Sequence, residues 1–70
     1  MKEFVNYLCE VEIYLRKHYP IRAGQAYYNV LYDIRPDIAH KLVGKPVDPF
    51  YNNDLIPVFL HHVANLWEDR

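Results

Sequence analysis

The residues of this chain that combine charge with aromatic surface are concentrated in its middle. Arg22 and Gln25 lie about one helical turn apart, and Asp48 begins an Asp-Pro-Phe-Tyr sequence that ends at Tyr51. A guanidinium can bind a carboxylate through two parallel hydrogen bonds. Two interpretations follow. Arg22 and Asp48 form a structural clasp between a helix and a loop, or Arg22 and Gln25 grip a ligand. We favour the clasp.

Tyrosines on the same segment predict a contact surface. Tyr28 and Tyr32 are one turn apart and lie beside Gln25 in helical projection. Tyrosine is favoured at interfaces because it joins apolar area to a hydrogen-bonding hydroxyl. The alternative is a half-exposed aromatic face without a role. The candidate binding residues are Arg22, Gln25, Tyr28, Tyr32, Arg35 and Tyr51.

Catalytic and metal-binding chemistry has little support in the sequence. The chain contains no Ser or Thr, and its one cysteine, Cys9, falls inside a predicted helix, away from the settings that favour a thiolate. His61 and His62 are adjacent, so they point to different sides of a helix and cannot act as an i, i+4 metal-binding pair. We therefore predict no catalytic residues, no metal site and no cofactor, in a protein that is not an enzyme.

Size and composition predict association. The chain has 70 residues, is 51% hydrophobic, and contains seven Tyr, three Phe and one Trp. A chain of this size buries about 60% of its unfolded surface, so its core is marginal without a disulfide, a metal or a partner. A single cysteine cannot form an internal disulfide, and it favours a reducing compartment. We therefore expect a homo-oligomer, a protein partner, or both.

Charge and hydropathy argue against two other classes of protein. The formal net charge of −1 disfavours general nucleic-acid binding, which normally requires a basic excess. The apolar runs are only a few residues long, far short of a membrane span, and the N-terminus does not resemble a secretory signal. We therefore expect a cytoplasmic protein that contacts no membrane.

Four helices are predicted to position these residues within a single helical domain, 1–70. Pro20 ends the first helix, Pro36 suits the first position of the third, and Gly44 suits the position after its end. Gly24, with Ala23 and Ala26, leaves room for another helix to approach closely near the start of the second helix. The predicted helices cover 2–18, 21 or 22 to 34, 36–43 and 55–68. The fold class is therefore all-α, a compact bundle of three main helices plus one short helix.

The segment 45–53 is predicted to be an ordered, proline-containing loop before the last helix, because Val47, Phe50 and Tyr51 give it apolar side chains to pack. Asp54 is the predicted N-cap of that helix, with Ile56 as the alternative cap. The apolar positions predicted to face the core include Phe4, Leu8, Val11 and Leu15 of the first helix; Ala23, Tyr27, Val30 and Ile34 of the second; Ile38, Ala39, Leu42 and Val43 of the third; and Ile56, Phe59, Leu60, Val63, Leu66 and Trp67 of the last. Tyr28, Leu31 and Tyr32 form a second apolar face on the second helix, so this helix is predicted to be central, with one side on the core and the other on another element or subunit.

Several of these motifs occur in a recognisable order over roughly 20–68. They are Arg22, Gly24, Gln25, Asn29, Pro36, Asp48-Pro-Phe-Tyr51 and Trp67. In this order and spacing the chain resembles small uncharacterised proteins carried by bacteriophages and their bacterial hosts. The resemblance implies a small helical fold and a phage or bacterial setting, in the host cytoplasm if the protein is phage-encoded. It implies no activity and no catalytic residue.

Two functions from different classes fit these features. The first is a non-enzymatic interaction protein that self-associates and binds or inhibits a host or phage protein through the tyrosines of helix 2 and the adjoining loop. The alternative is a phage anti-defence protein that sequesters a nucleotide signal between subunits, with Tyr rings stacked on the base and basic side chains on the phosphates. Those basic residues are Arg22, Arg35, Lys41 and Lys45. A nucleic-acid accessory role is disfavoured by the charge.

Overall fold

The computed structural model describes residues 2–68, with Lys2 and Glu68 described by their backbone alone, and these residues form helices without a strand. A single 3₁₀ turn, Asn53–Leu55, precedes the last helix. The α-helices are α1, Lys2–Lys17; α2, Ala23–Ile34; α3, Pro36–Leu42; and α4, Ile56–Glu68. The predicted all-α fold, with three main helices, one short helix and a loop before the last helix, is confirmed.

Proline and glycine set the ends of the short helix as predicted. Pro36 is the first residue of α3, where its missing N–H has no intrahelical role. Gly44 has a φ of 74°, a left-handed conformation that glycine adopts without a steric penalty. Val43 is the extended C-cap, with 50% of its surface exposed, so its predicted place in the core is wrong. Ile34, at 41% exposed, also lies outside the core.

The start of α4 differs from the prediction. The Asn52 side chain accepts a hydrogen bond from the Asp54 N–H at 3.0 Å, and it caps the 3₁₀ turn. The predicted N-cap, Asp54, is therefore wrong, because the extra turn moves the capping position two residues earlier. Ile56 has helical φ and ψ of −55° and −48°, so the alternative cap is wrong as well. Pro57 follows Ile56 in the first turn, where a missing N–H costs no hydrogen bond.

Each helix contributes one face to a common core. α2 is central, as its apolar character predicted, and it contacts α1, α3 and the 3₁₀ turn. Burial of these side chains provides the main drive to fold. The buried hydrophobic residues are Tyr7 and Val11 of α1; Ala26, Val30 and Leu31 of α2; Ile38, Ala39 and Leu42 of α3; and Phe59, Val63 and Trp67 of α4.

Tyr7 is the largest fully buried side chain. Its ring lies 5.6 Å from that of Trp67 and 6.4 Å from that of Tyr27, measured between centroids. Its hydroxyl donates a hydrogen bond to the Tyr27 carbonyl oxygen at 2.7 Å, so burial leaves this polar atom satisfied. Burial, and secondarily the nearby Tyr27, raise the pKa of Tyr7 above its ordinary value. The hydroxyl therefore stays protonated and links α1 to α2.

Candidate interaction surface

The loop 43–52 lies directly against the start of α2. The Gly24 N–H donates a hydrogen bond to Asn53 Oδ1 at 2.8 Å. A Cβ atom on Gly24 would collide with the Pro49 carbonyl oxygen and would lie 2.9 Å from the Pro49 carbonyl carbon. Gly24 therefore allows a close approach, but its neighbour there is the backbone of the loop and not another helix, as was predicted. The two ends of the Arg22–Tyr51 segment meet at this contact.

The Asp48 carboxylate organises its own loop. Its Oδ2 accepts a hydrogen bond from the Gly44 N–H at 2.9 Å, and its Oδ1 accepts one from the Phe50 N–H at 3.0 Å. Among the described residues, the ion pairs are Arg16–Glu12 and Arg35–Asp37. The predicted pairing of Arg22 with Asp48 is therefore wrong, because both carboxylate oxygens are already engaged by backbone donors.

Arg22 contacts the loop through an aromatic ring instead. Its guanidinium carbon lies 5.6 Å from the centre of the Tyr51 ring, within the range of a cation–π interaction. Arg22 is the N-cap residue of α2, and its side chain does not cap the helix. The guanidinium thus remains available to a partner while it restricts the orientation of Tyr51.

Aromatic rings continue from Tyr51 across α2 to α3. The centroid of Tyr51 lies 4.9 Å from that of Phe50, and Phe50 lies 5.9 Å from Tyr28 in an edge-to-face arrangement. Tyr28 lies 6.3 Å from Tyr32, and Tyr32 lies 5.3 Å from His40. These distances are typical of favourable aromatic pairs. We call this continuous set the aromatic strip; it consists of Arg22, Tyr28, Tyr32, His40, Phe50 and Tyr51.

The aromatic strip is exposed at its ends and supported in its middle. Tyr51 is 82% exposed and Tyr32 is 48% exposed, whereas Tyr28 and Phe50 are half-buried. Burial, followed by the negative charge of Asp48, raises the pKa of Tyr28. Its hydroxyl is therefore protonated at neutral pH and can donate a hydrogen bond. The half-buried rings hold the exposed ones in place.

Four of the six predicted binding residues lie in the aromatic strip: Arg22, Tyr28, Tyr32 and Tyr51. Gln25 is half-buried on α2 and takes no part in the ring contacts of the strip. His40 and Phe50 belong to the strip, but sequence reasoning assigned them no binding role. No pattern in the sequence indicates a binding role for these two residues, because only the fold brings α3 and the loop beside the tyrosines of α2.

Arg35 belongs to a different place in the molecule. Its Nε and Nη2 donate hydrogen bonds to the two carboxylate oxygens of Asp37 at 3.0 and 2.9 Å. The hydrogen bond from Arg35 lowers the pKa of Asp37 to about 2, and the same bond raises the pKa of Arg35. The guanidinium carbon lies 5.1 Å from the centre of the Trp67 ring. The prediction that Arg35 joins the tyrosine surface therefore has no contact to support it.

Other parts of the surface formed by the described residues include two clefts that are open to solvent. One, of about 510 Å³, lies between α1 and α2 and is lined by residues that include Glu10, Lys17, His18 and Asp33. The other, of about 330 Å³, is lined by Glu3, Asn6, Tyr7, Ile34, Arg35 and Trp67. Within residues 2–68, no cluster of three or more His, Cys, Asp or Glu side chains is arranged to hold a metal ion. No helix in this part of the chain is long and apolar enough to cross a membrane.

Comparison with known proteins gives no relative: no protein family, curated protein or solved structure matches this chain significantly.

Proposed function

We propose that this chain is a small, non-enzymatic interaction protein that binds a protein partner through the aromatic strip and also self-associates. The observation that carries the proposal is the unbroken series of ring contacts from Tyr51 to His40, ending in a tyrosine that is 82% exposed. Aromatic surface that stays exposed to water contributes little to the folding stability of a small domain. A partner that covers the strip accounts for it.

The composition of the strip supports binding to protein. Tyrosine and arginine are enriched among the residues that dominate binding energy at protein interfaces. The contacts of Tyr51 with Arg22 and Phe50 restrict its side chain before any partner arrives. A restricted side chain loses less conformational entropy on binding, so its apolar area contributes more to affinity.

The biological setting rests on the motif order that resembles small phage and bacterial proteins. In that setting the partner is a host or phage protein, and binding to it inhibits or alters its action in the host cytoplasm. Self-association follows from the size argument, because a 70-residue chain with 51% hydrophobic residues gains stability by covering apolar surface with a second copy.

A second candidate function is the capture of a nucleotide signal between subunits, as an anti-defence protein would do. One contact favours it: the Arg22 guanidinium beside the highly exposed Tyr51 ring pairs a stacking surface for a base with a charge for a phosphate. The carboxylate of Asp48 near Tyr28 disfavours phosphate at the middle of the strip.

Light scattering combined with nucleotide titration separates these functions. We expect a molar mass above that of one chain, and no change in melting temperature with cyclic or linear nucleotides. A monomer would contradict the self-association. Stabilisation by a nucleotide that is lost in Arg22→Ala would favour capture over protein binding.

A further inference from the structure

The larger cleft, between α1 and α2, has apolar side chains at its edges that remain exposed. We call it the α1–α2 groove, and its volume is about 510 Å³. Ile13 of α1 and Ile34 of α2 both line it, and they are 43% and 41% exposed. Removing such apolar surface from water is favourable, so a partner that covers the groove would form a stable contact. The charges around the groove indicate which partner this is.

The α1 side of the groove has an apolar residue between an acidic one and a basic one. Ile13 follows Glu10 by three positions and precedes Lys17 by four, and all three line the groove. Residues at these spacings lie on the same side of a helix. Glu10 therefore lies about one turn before Ile13, towards the start of α1, and Lys17 lies about one turn after it.

The α2 side of the groove extends this arrangement of charge. The Asn29 side chain donates a hydrogen bond to the Tyr14 hydroxyl at 3.3 Å. Further along α2, Ile34 lies with Asn6, an earlier residue of α1, in the wall of the smaller cleft. The two helices therefore run in opposite directions, and Asp33, which precedes Ile34, lies towards the start of α1. It adds a second negative charge at the end of the groove where the acidic residue of α1 lies.

The two ends of the groove thus carry opposite charge. Glu10 and Asp33 form the acidic end, and Lys17 forms the basic end with His18 beside it. Neither ion pair among the described residues involves any of these four side chains, so their charges are open to a partner. The Tyr14 ring stacks on His18 with 4.1 Å between the centroids, which restricts the side chains at the basic end.

A two-fold axis makes this groove complementary to itself. When the axis lies beside Ile13, the α1 helices of the two copies run antiparallel, and Glu10 of each copy lies opposite Lys17 of the other. Ile13 of each copy then packs against the groove of the other and is withdrawn from water. Parallel copies would instead place Glu10 opposite Glu10 and Lys17 opposite Lys17, and such like-charge contacts are repulsive.

We propose that the α1–α2 groove is the surface through which this chain self-associates, as an antiparallel dimer in which the acidic end of each groove lies on the basic end of the other. The dimer rests on the self-association proposed above and specifies where the two copies meet. Tyr28 and Tyr32 lie on the opposite side of α2 and do not line the groove, so the aromatic strip remains free for a protein partner.

Light scattering of single-residue variants tests the groove. We expect the wild type to be a dimer at submillimolar concentration and Ile13→Glu to be a monomer, because the new carboxylates meet at the apolar centre of the interface. The control is Val5→Glu, at a 52% exposed residue of α1 that does not line the groove, and it should remain a dimer. Far-UV circular dichroism checks that both variants fold.

The outcomes distinguish this surface from the proposed function. If Ile13→Glu is folded and still dimeric, the groove is wrong and self-association through another surface stands. If the wild type is a monomer, self-association and the groove are both wrong, while partner binding by the aromatic strip is unaffected. A dimer lost in Tyr51→Ala would place the contact between copies on the strip and would overturn the groove.

Exchanged charges test the antiparallel arrangement without a change at its apolar centre. Glu10→Lys and Lys17→Glu should each weaken dimerisation at least about tenfold, because two contacts between like charges replace two between opposite charges. An equimolar mixture of these two variants should dimerise again, since each variant supplies the charge that the other lacks. If both variants are folded and their mixture dimerises no better than either alone, the antiparallel arrangement is wrong.

Discussion

The Gly24 N–H donates a hydrogen bond to Asn53 Oδ1 at 2.8 Å, and this contact joins the first turn of α2 to the 3₁₀ turn that follows the loop. The Pro49 carbonyl packs so close to the Gly24 Cα that no side chain fits between them. The loop is therefore fixed to α2 by its backbone. Because Phe50 and Tyr51 follow Pro49 directly, the same contact sets the position of one end of the aromatic strip.

Replacing Gly24 with alanine tests this attachment. Alanine is favoured over glycine inside a helix by about 1 kcal/mol. Against that gain, the new methyl group collides with the Pro49 backbone, and overpacking costs typically about 1–3 kcal/mol in addition to the strained hydrogen bond. We expect a net loss of about 2 kcal/mol in the free energy of unfolding, measured by urea denaturation. Asn53→Ala removes the hydrogen bond alone and should cost less than Gly24→Ala. A Gly24→Ala variant as stable as the wild type would contradict the close contact.

Asp48 is expected to contribute to stability through its loop. In Asp48→Asn the amide keeps one acceptor oxygen, so either the Gly44 or the Phe50 N–H loses its partner and the other loses a charged one. We expect the free energy of unfolding to fall by about 1–2 kcal/mol. Thermal denaturation measures the change. An unchanged melting temperature together with lost partner binding would instead identify Asp48 as a binding residue.

Tyr7 is expected to make stability fall at alkaline pH. Its pKa is raised in the folded protein, whereas in the unfolded chain it is about 10. Its contribution is complete below about pH 10 and is lost as the pH rises further, because the unfolded chain then releases the proton and the folded one keeps it. Denaturation at pH 8 to 11 should show a smaller pH dependence in Tyr7→Phe than in the wild type. Tyr19→Phe, at an 84% exposed tyrosine, is the control and should match the wild type.

Asp37 is expected to act at the other end of the pH range. Its pKa is lowered to about 2 by the hydrogen bond from Arg35, while an unpaired aspartate has a pKa near 3.9. The ionised form therefore stabilises the fold above about pH 4, and this contribution is lost as the pH falls towards 2. The stability difference between wild type and Asp37→Asn should shrink over that interval. A difference that is constant from pH 5 to 2 would contradict the pairing.

The helices, and the ends of α3 in particular, could be predicted because single residues determine them. Pro36 begins α3, and Gly44 follows it with a positive φ, for reasons that are local to the chain. The cap before α4 was missed because Asn52 and Asp54, two residues apart, are polar residues of similar capping propensity. Burial of Tyr7 was missed because its hydroxyl acceptor, the Tyr27 carbonyl, is brought near only by the packing of α1 on α2.

The candidate surface could be predicted in part. The sequence indicated that the two ends of the Arg22–Tyr51 segment belong together, but opposite charge pointed to Arg22 and Asp48 as the contact. The loop satisfies Asp48 with its own N–H groups, so Arg22 contacts Tyr51. Arg35 was included among the binding residues as a positive charge for a phosphate. In the structure α2 has ended at Ile34, and the Arg35 guanidinium is bound by the Asp37 carboxylate.

The measurement that most directly tests the aromatic strip as a protein-binding surface is affinity capture from a bacterial host with three matched baits. These are the wild type, Tyr51→Ala and Tyr19→Ala. Tyr51 and Tyr19 are almost equally exposed, at 82% and 84%, but only Tyr51 belongs to the strip. We predict that the wild type and Tyr19→Ala capture the same protein and that Tyr51→Ala loses it while keeping the wild-type melting temperature. Capture of nothing by the wild type, or equal capture by all three baits, would contradict the account.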